Sequence, residues 1–141
     1  MELRITAGAR AIAWSLLVIA VVANIAGYAF DLYARWGWFD KVLHPYTIGA
    51  ITLALALVLY GRVLTGAPER RLLLILVMAA IGLSIGALWE VAEWGFDLFA
   101  PGNAIKGKDD TITDLIVDTL GALLAGAWAS FLVVGNTSRQ G

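Results

Sequence analysis

Nine acidic or imidazole side chains gather at the same ends of the apolar segments of this chain. Asp40 and His44 open one segment, Glu90, Glu93 and Asp97 close the next, and Asp109, Asp110, Asp114 and Asp118 open the last. If the segments cross a bilayer in alternation, all nine meet at one membrane face. Ionisable groups at the hydrocarbon boundary are costly to place, so they mark a functional site by default. Carboxylates with a single imidazole suit hard and borderline divalent cations: Mg²⁺, Mn²⁺, Ca²⁺ or iron, with zinc admitted by the imidazole. Such a cation supports metal-assisted hydrolysis or group transfer, a spare carboxylate activating water.

The spacings sharpen the set. Asp40 and His44 stand four apart, on one helical face if a helix already covers Asp40. Pro45 suits a first helical turn, which makes His44 an N-cap candidate and sets a helix start there. A dipole-stabilised cap is the plain alternative for Asp40, and a carbonyl-paired interfacial histidine for His44. Glu90, Glu93 and Asp97 follow an i, i+3, i+7 stripe. Glu90 falls one to two turns inside the boundary, and Asp97 at its solvated edge. Asp110, Asp114 and Asp118 recur every fourth residue and descend about two turns into the last segment. Two aspartates a turn apart inside a membrane helix repel unless a cation or a shared proton offsets them. The expected metal ligands are His44, Glu90, Glu93, Asp114 and Asp118, with Asp40 and Asp110 in support and Glu90 and Asp114 as candidates for water activation.

Helices must position these groups. The chain has 141 residues, 60% of them hydrophobic and only 15% charged, whereas a soluble domain is nearer one quarter charged. Mean hydropathy is +0.81. Residues 9–30, 44–60, 72–94 and 112–134 each reach roughly 17–23 residues, the length a helix needs to span a bilayer. Few spans cannot close a barrel, so the expected fold is all-α, four transmembrane helices in one compact bundle. The first segment is too long for a signal-peptide core and is read as retained. Gly82, Gly86, Gly121 and Gly126 allow close helix approach. There is no cysteine, and the net charge of −1 offers no basic surface for nucleic acid.

Lys and Arg flanking the spans set orientation. Arg4, Arg10, Arg62, Arg70, Arg71 and Arg139 share one side, against Arg35, Lys41, Lys106 and Lys108 on the other. Both termini are therefore expected in the cytoplasm of a multi-pass plasma (inner) membrane protein, with the acidic site outside. Trp36, Trp38, Trp89 and Trp94 form an aromatic belt at that face. Thr111 and Thr113 are expected to cap the last helix. Residues 104–111 form a hydrophilic turn or lid over the acids, Gly66-Ala67-Pro68-Glu69 a turn, Pro101-Gly102-Asn103 a break, and 135–141 a flexible tail.

At these residues the chain resembles VanZ-like bacterial membrane proteins: Asp40-Lys-Val-Leu-His44, Ser84 followed by Glu90, and Asp114-Leu-Ile-Val-Asp118-Thr-Leu-Gly121 with Gly126. It departs from them in carrying Asp118 where Asn is typical, Glu93 where Gln is, and Lys106 or Lys108 where an Arg is usual. Trp89-Glu90-Val-Ala-Glu93-Trp94 and Asp114-x-x-x-Asp118 are similar to YjdF-like inner-membrane proteins, which are usually longer. The resemblance implies a polytopic envelope protein and supports the same site residues. VanZ-like members are associated with glycopeptide (teicoplanin) resistance.

Three functions fit these residues: a metal-dependent hydrolase or transferase acting on a lipid or envelope-linked phosphate or ester, a proton or cation carrier using the same carboxylates, and a non-catalytic membrane subunit. Beyond Ser15, Asn24 and Thr52 the other leaflet is nearly all apolar, which disfavours a pore through one subunit and leaves one at a homo-oligomer axis. Membrane lipids are the expected partners.

Overall fold

The computed structural model describes residues 6–63, 71–100 and 104–134. It contains α1 (Ala7–Ala29), α2 (Leu32–Arg35), α3 (Gly37–Val63), α4 (Arg71–Phe99) and α5 (Lys108–Val134), and no strand among the described residues. The four long helices are each long and apolar enough to cross a membrane. The protein is an all-α polytopic membrane protein. The turn expected at 66–69, the break at 101–103 and the tail from 135 lie outside the described residues.

α5 is the hub, packed along both α3 and α4, whereas α1 packs mainly on α3. Away from the acidic ends the core is built of small and branched apolar side chains, with Ala9 and Ala13 against Leu53, Leu57, Leu74, Met78 and Ala129. Small residues suit a membrane bundle, where close backbone packing replaces the hydrophobic drive found in water. Backbones approach closely at Gly121. A methyl group there would strike the Pro45 carbonyl oxygen and lie within 3.0 Å of Pro45 C and Cα. α3 and α5 thus touch backbone to backbone.

α3 starts at Gly37, seven residues before the expected start, and Pro45 lies inside it. The missing proline N–H removes one intrahelical bond, to the Lys41 carbonyl. His44 is therefore no N-cap but an interior residue, one turn from Asp40 on the same face. α5 likewise begins at Lys108, so Thr111 and Thr113 are not caps; Thr113 Oγ1 donates to Asp109 O at 2.7 Å. α4 runs on past Trp94 to Phe99.

Polar clamps fasten α1 and the short α2 to α3. Asn24 Nδ2 donates to Thr47 Oγ1 (3.0 Å), Tyr33 OH donates to Asn24 Oδ1 (2.9 Å), and Tyr46 OH to Leu16 O (3.2 Å). Between α1 and α2 the chain reverses through Asp31, whose left-handed backbone (φ 56°, ψ 36°) is one that aspartate adopts more readily than most residues.

Candidate functional site

Helical phase explains which acids converge. Asp114 and Asp118 occupy the stripe of α5 that faces α3, and both are buried, Asp118 completely. Asp118 fits because position 86 of α4 is glycine: a methyl group there would collide with its carboxylate. His44 meets it from α3, with Nδ1 3.4 Å from Asp118 Oδ2, and turns Nε2 toward Asp40 Oδ1 at 3.6 Å. The imidazole is thus held between two carboxylates, and the ring of Trp89 stands edge-on to it, centroids 6.3 Å apart.

Around His44 the ligand atoms of two triads lie within 4.8 Å of one another, Asp40 with Asp114 and Glu90 with Glu93. Asp118 is in neither triad; it contacts the histidine instead. Asp110 lies at the outer edge. Of the expected site residues, all seven are gathered at one end of the bundle around α3, α4 and α5.

Two lysines supply what sequence reasoning treated only as orientation signals. Lys41 Nζ reaches Asp110 Oδ1 at 2.5 Å and Asp114 Oδ2 at 2.6 Å, and Lys106 Nζ reaches Asp40 Oδ2 at 3.1 Å. Besides a bound cation or shared protons, the acids therefore have a third means of neutralisation, ammonium groups of the chain itself. It covers Asp40, Asp110 and one oxygen of Asp114. It leaves Glu90 Oε1, Asp114 Oδ1 and Asp118 Oδ1 buried without a hydrogen-bond partner. An ionised oxygen buried in this way is costly unless a proton, a water or a cation meets it.

Trp89 is not part of an aromatic belt: its Nε1 donates to Glu93 Oε1 at 2.8 Å and orients that carboxylate. Trp36 and Trp38 are exposed and stacked, centroids 5.6 Å apart, and Trp94 is also exposed, as a belt requires. Nor is Asp97 a solvated bystander. Its two oxygens accept the backbone N–H groups of Ala104 (2.8 Å) and Ile105 (3.0 Å), which anchors the segment that carries Lys106.

Two cavities adjoin the acids. One of about 10 Å³ is bordered by Asn24, Tyr33, His44, Thr47, Trp89 and Glu93, the size and polarity needed for one water molecule. The other, about 360 Å³, is walled by Tyr28, Asp31, Asp40, Glu93, Phe96 and Lys106, within the range of small-ligand sites. Glu93 and Tyr33 border both. Asn24, Tyr33, Lys41, Trp89 and Lys106 are the site residues that sequence reasoning missed. The one available signal was that two lysines flank the acid stripe on its own side of the membrane.

The family model described as "Predicted membrane protein (DUF2238)" matches residues 1–134. A Thermotoga maritima protein described as uncharacterized is 35% identical over 101 residues, covering 70% of this chain and 50% of that protein. The chain spans about half the length of the curated relative it matches. No solved structure matches it. The chain belongs to the DUF2238 family of predicted membrane proteins.

Proposed function

We propose that this member of the family is a metal-dependent membrane enzyme acting on a lipid or envelope-linked phosphate or ester. The observation that carries the proposal is the trio of buried, unpartnered carboxylate oxygens, on Glu90, Asp114 and Asp118, around a histidine within ligand distance of two further acids. His44, Glu90 and Glu93 form the triad free of lysine, and these three would hold the cation. With Asp118 taking the proton of His44 Nδ1, Nε2, which also faces Asp40, would be the ligand atom, the carboxylate–histidine arrangement common beside protein metals. Trp89 fixes Glu93 in the same way.

A divalent cation bound here would supply Lewis-acid chemistry, acidifying a water and polarising a phosphoryl or carbonyl oxygen. Glu90, with Oε1 unpaired, would be the group to accept the proton of such a water. Asp114 has one oxygen held by Lys41 and serves as a supporting charge. The resemblance of the Asp40–His44 and Glu90–Glu93 motifs to VanZ-like and YjdF-like proteins supports an envelope role, and the arginine asymmetry supports a site on the outer face.

Metal analysis of the protein in detergent, with thermal unfolding before and after chelation, tests the proposal. A cation that binds only the folded state adds about 2.7 kcal/mol at a hundredfold excess over Kd. Chelator should lower the melting temperature, and Glu90→Gln should abolish that response, whereas Asp109→Asn, on the exposed first turn of α5, should keep it. No metal and no response to chelator would sink the proposal and favour a second reading, a proton carrier. That alternative draws on the unbroken series from buried Asp118 through His44 and Asp40 to Lys106 at the surface.

A further inference from the structure

The 360 Å³ cleft has a position, an opening and a charge pattern that together name an occupant. Its walls come from the ends of α1 and α4, from α2, from Asp40 of α3 and from the segment before α5, at the end of the bundle where exposed Trp36, Trp38 and Trp94 mark headgroup level. α1 is packed on α3 and has no comparable packing with α4, so the cleft opens sideways between them into the bilayer. Below it α1 exposes Val18, Val21, Val22 and Ile25, a surface for acyl chains.

The charges are mixed. Asp31, Asp40 and Glu93 face one ammonium, Lys106. Asp40 is already paired with Lys106, and Asp31 carries no cap hydrogen bond. An anionic headgroup would meet three carboxylates. A headgroup with both an ammonium and a phosphate instead matches Asp31 with the first and Lys106 with the second. A primary ammonium donates three hydrogen bonds to carboxylates, which a quaternary one cannot. We infer that the cleft binds the headgroup of a zwitterionic membrane phospholipid bearing a primary amine, entering laterally between α1 and α4. Lys106, the phosphate's partner, is paired with Asp40, whose other oxygen lies 3.6 Å from His44 Nε2, so the bound phosphodiester lies on the His44 side of the cleft. As a substrate assignment this rests on the enzyme reading above; as a binding site it does not.

The test uses the full chain in nanodiscs of phosphatidylethanolamine, phosphatidylglycerol and phosphatidylcholine in equal parts. Retained lipid is then counted by native mass spectrometry after mild detergent release. Phosphatidylethanolamine should be enriched about tenfold over the other two, a difference that favourable charge pairing readily provides. Ala34→Trp, which fills the cleft from an exposed position, and Lys106→Glu should each remove the enrichment. Glu90→Gln should keep it while losing metal, which separates the two proposals. Equal retention of all three lipids, preference for phosphatidylglycerol, or undiminished enrichment in Ala34→Trp would overturn the inference. Loss of enrichment in Glu90→Gln would also overturn it, by making the lipid depend on the metal centre. Enrichment in a wild-type protein that binds no metal would remove the enzyme reading and leave the lipid site standing.

Discussion

Lys41 of α3 and Asp114 of α5 are joined by a 2.6 Å ion pair, 73 residues apart in sequence. The same ammonium also reaches Asp110 one turn earlier on α5, so one residue of α3 pins two turns of its neighbour.

Removing that ammonium should therefore cost more than a surface pair would. Breaking a buried pair by deleting one partner costs about 3–5 kcal/mol, and the partial exposure of Lys41 places the loss at the low end. Lys41→Met should lower the melting temperature markedly, and adding Asp114→Asn should restore part of the loss. A double-mutant cycle showing no coupling between the two would refute the pin.

Gly121 and Gly95 make a matched pair of tests. Alanine at 121 enters the backbone of Pro45, which has no side-chain end to move aside; overpacking of this kind costs about 1–3 kcal/mol. Alanine at 95 meets nothing within 4 Å and should gain the ~1 kcal/mol by which alanine exceeds glycine in a helix. Thermal unfolding of both variants checks the contact, and equal effects would be incompatible with it.

Trp89→Phe keeps an aromatic ring, though a smaller one, and removes the N–H that orients Glu93. Loss of an outer-shell partner typically lowers metal affinity by roughly 10–100-fold, with little change in fold. Metal titration of the detergent-solubilised variant measures this, and unaltered affinity would exclude Glu93 as an oriented ligand.

Asp97→Ala deletes the acceptor for two loop N–H groups. Each such hydrogen bond contributes about 0.5–1.5 kcal/mol, somewhat more where the acceptor is charged. The effect should be local: faster hydrogen exchange at Ala104 and Ile105, with a modest change in global melting. Unchanged exchange there would show that the anchor is not formed in solution.

Cysteines placed at Thr6 and at Asp109 should label from opposite sides of intact cells, position 109 from outside. Labelling of position 6 from outside would reverse the orientation inferred from the arginines.

The four spans are legible in the sequence because uninterrupted apolar runs of that length have few other fates. Their starts are less so. Pro45 reads as a first-turn proline, yet α3 begins at Gly37, because a single lost hydrogen bond is tolerated where α5 packs against the same turn. The first turn of α5 is hidden by Lys108, Asp109 and Asp110, which look like loop until helix geometry puts Asp110 beside Lys41. The acid stripes were readable from their three- and four-residue spacings alone, since each lies on one helix. The lysine pairings were not, because they join residues 66–73 positions apart that only the packing of α3 with α5 and its preceding loop brings together. Asn24, counted by sequence with the apolar half of α1, turns out to line the water-sized cavity.

The central place of α5 bears on how the chain is assembled. Domains and helices emerge from the ribosome in order, and α5 follows the three helices that precede it across the membrane. Entering lipid alone, it would carry Asp114 and Asp118 at a penalty that reaches about 2.5–3.5 kcal/mol for an aspartate at a helix centre and is smaller toward the end where Asp114 lies. Lys41, His44 and the notch at Gly86 are already in place when it arrives. The earlier helices therefore act as a template that makes the last insertion favourable, and a nascent chain with Lys41 or Gly86 altered would be expected to stall as a three-span intermediate open to membrane proteolysis.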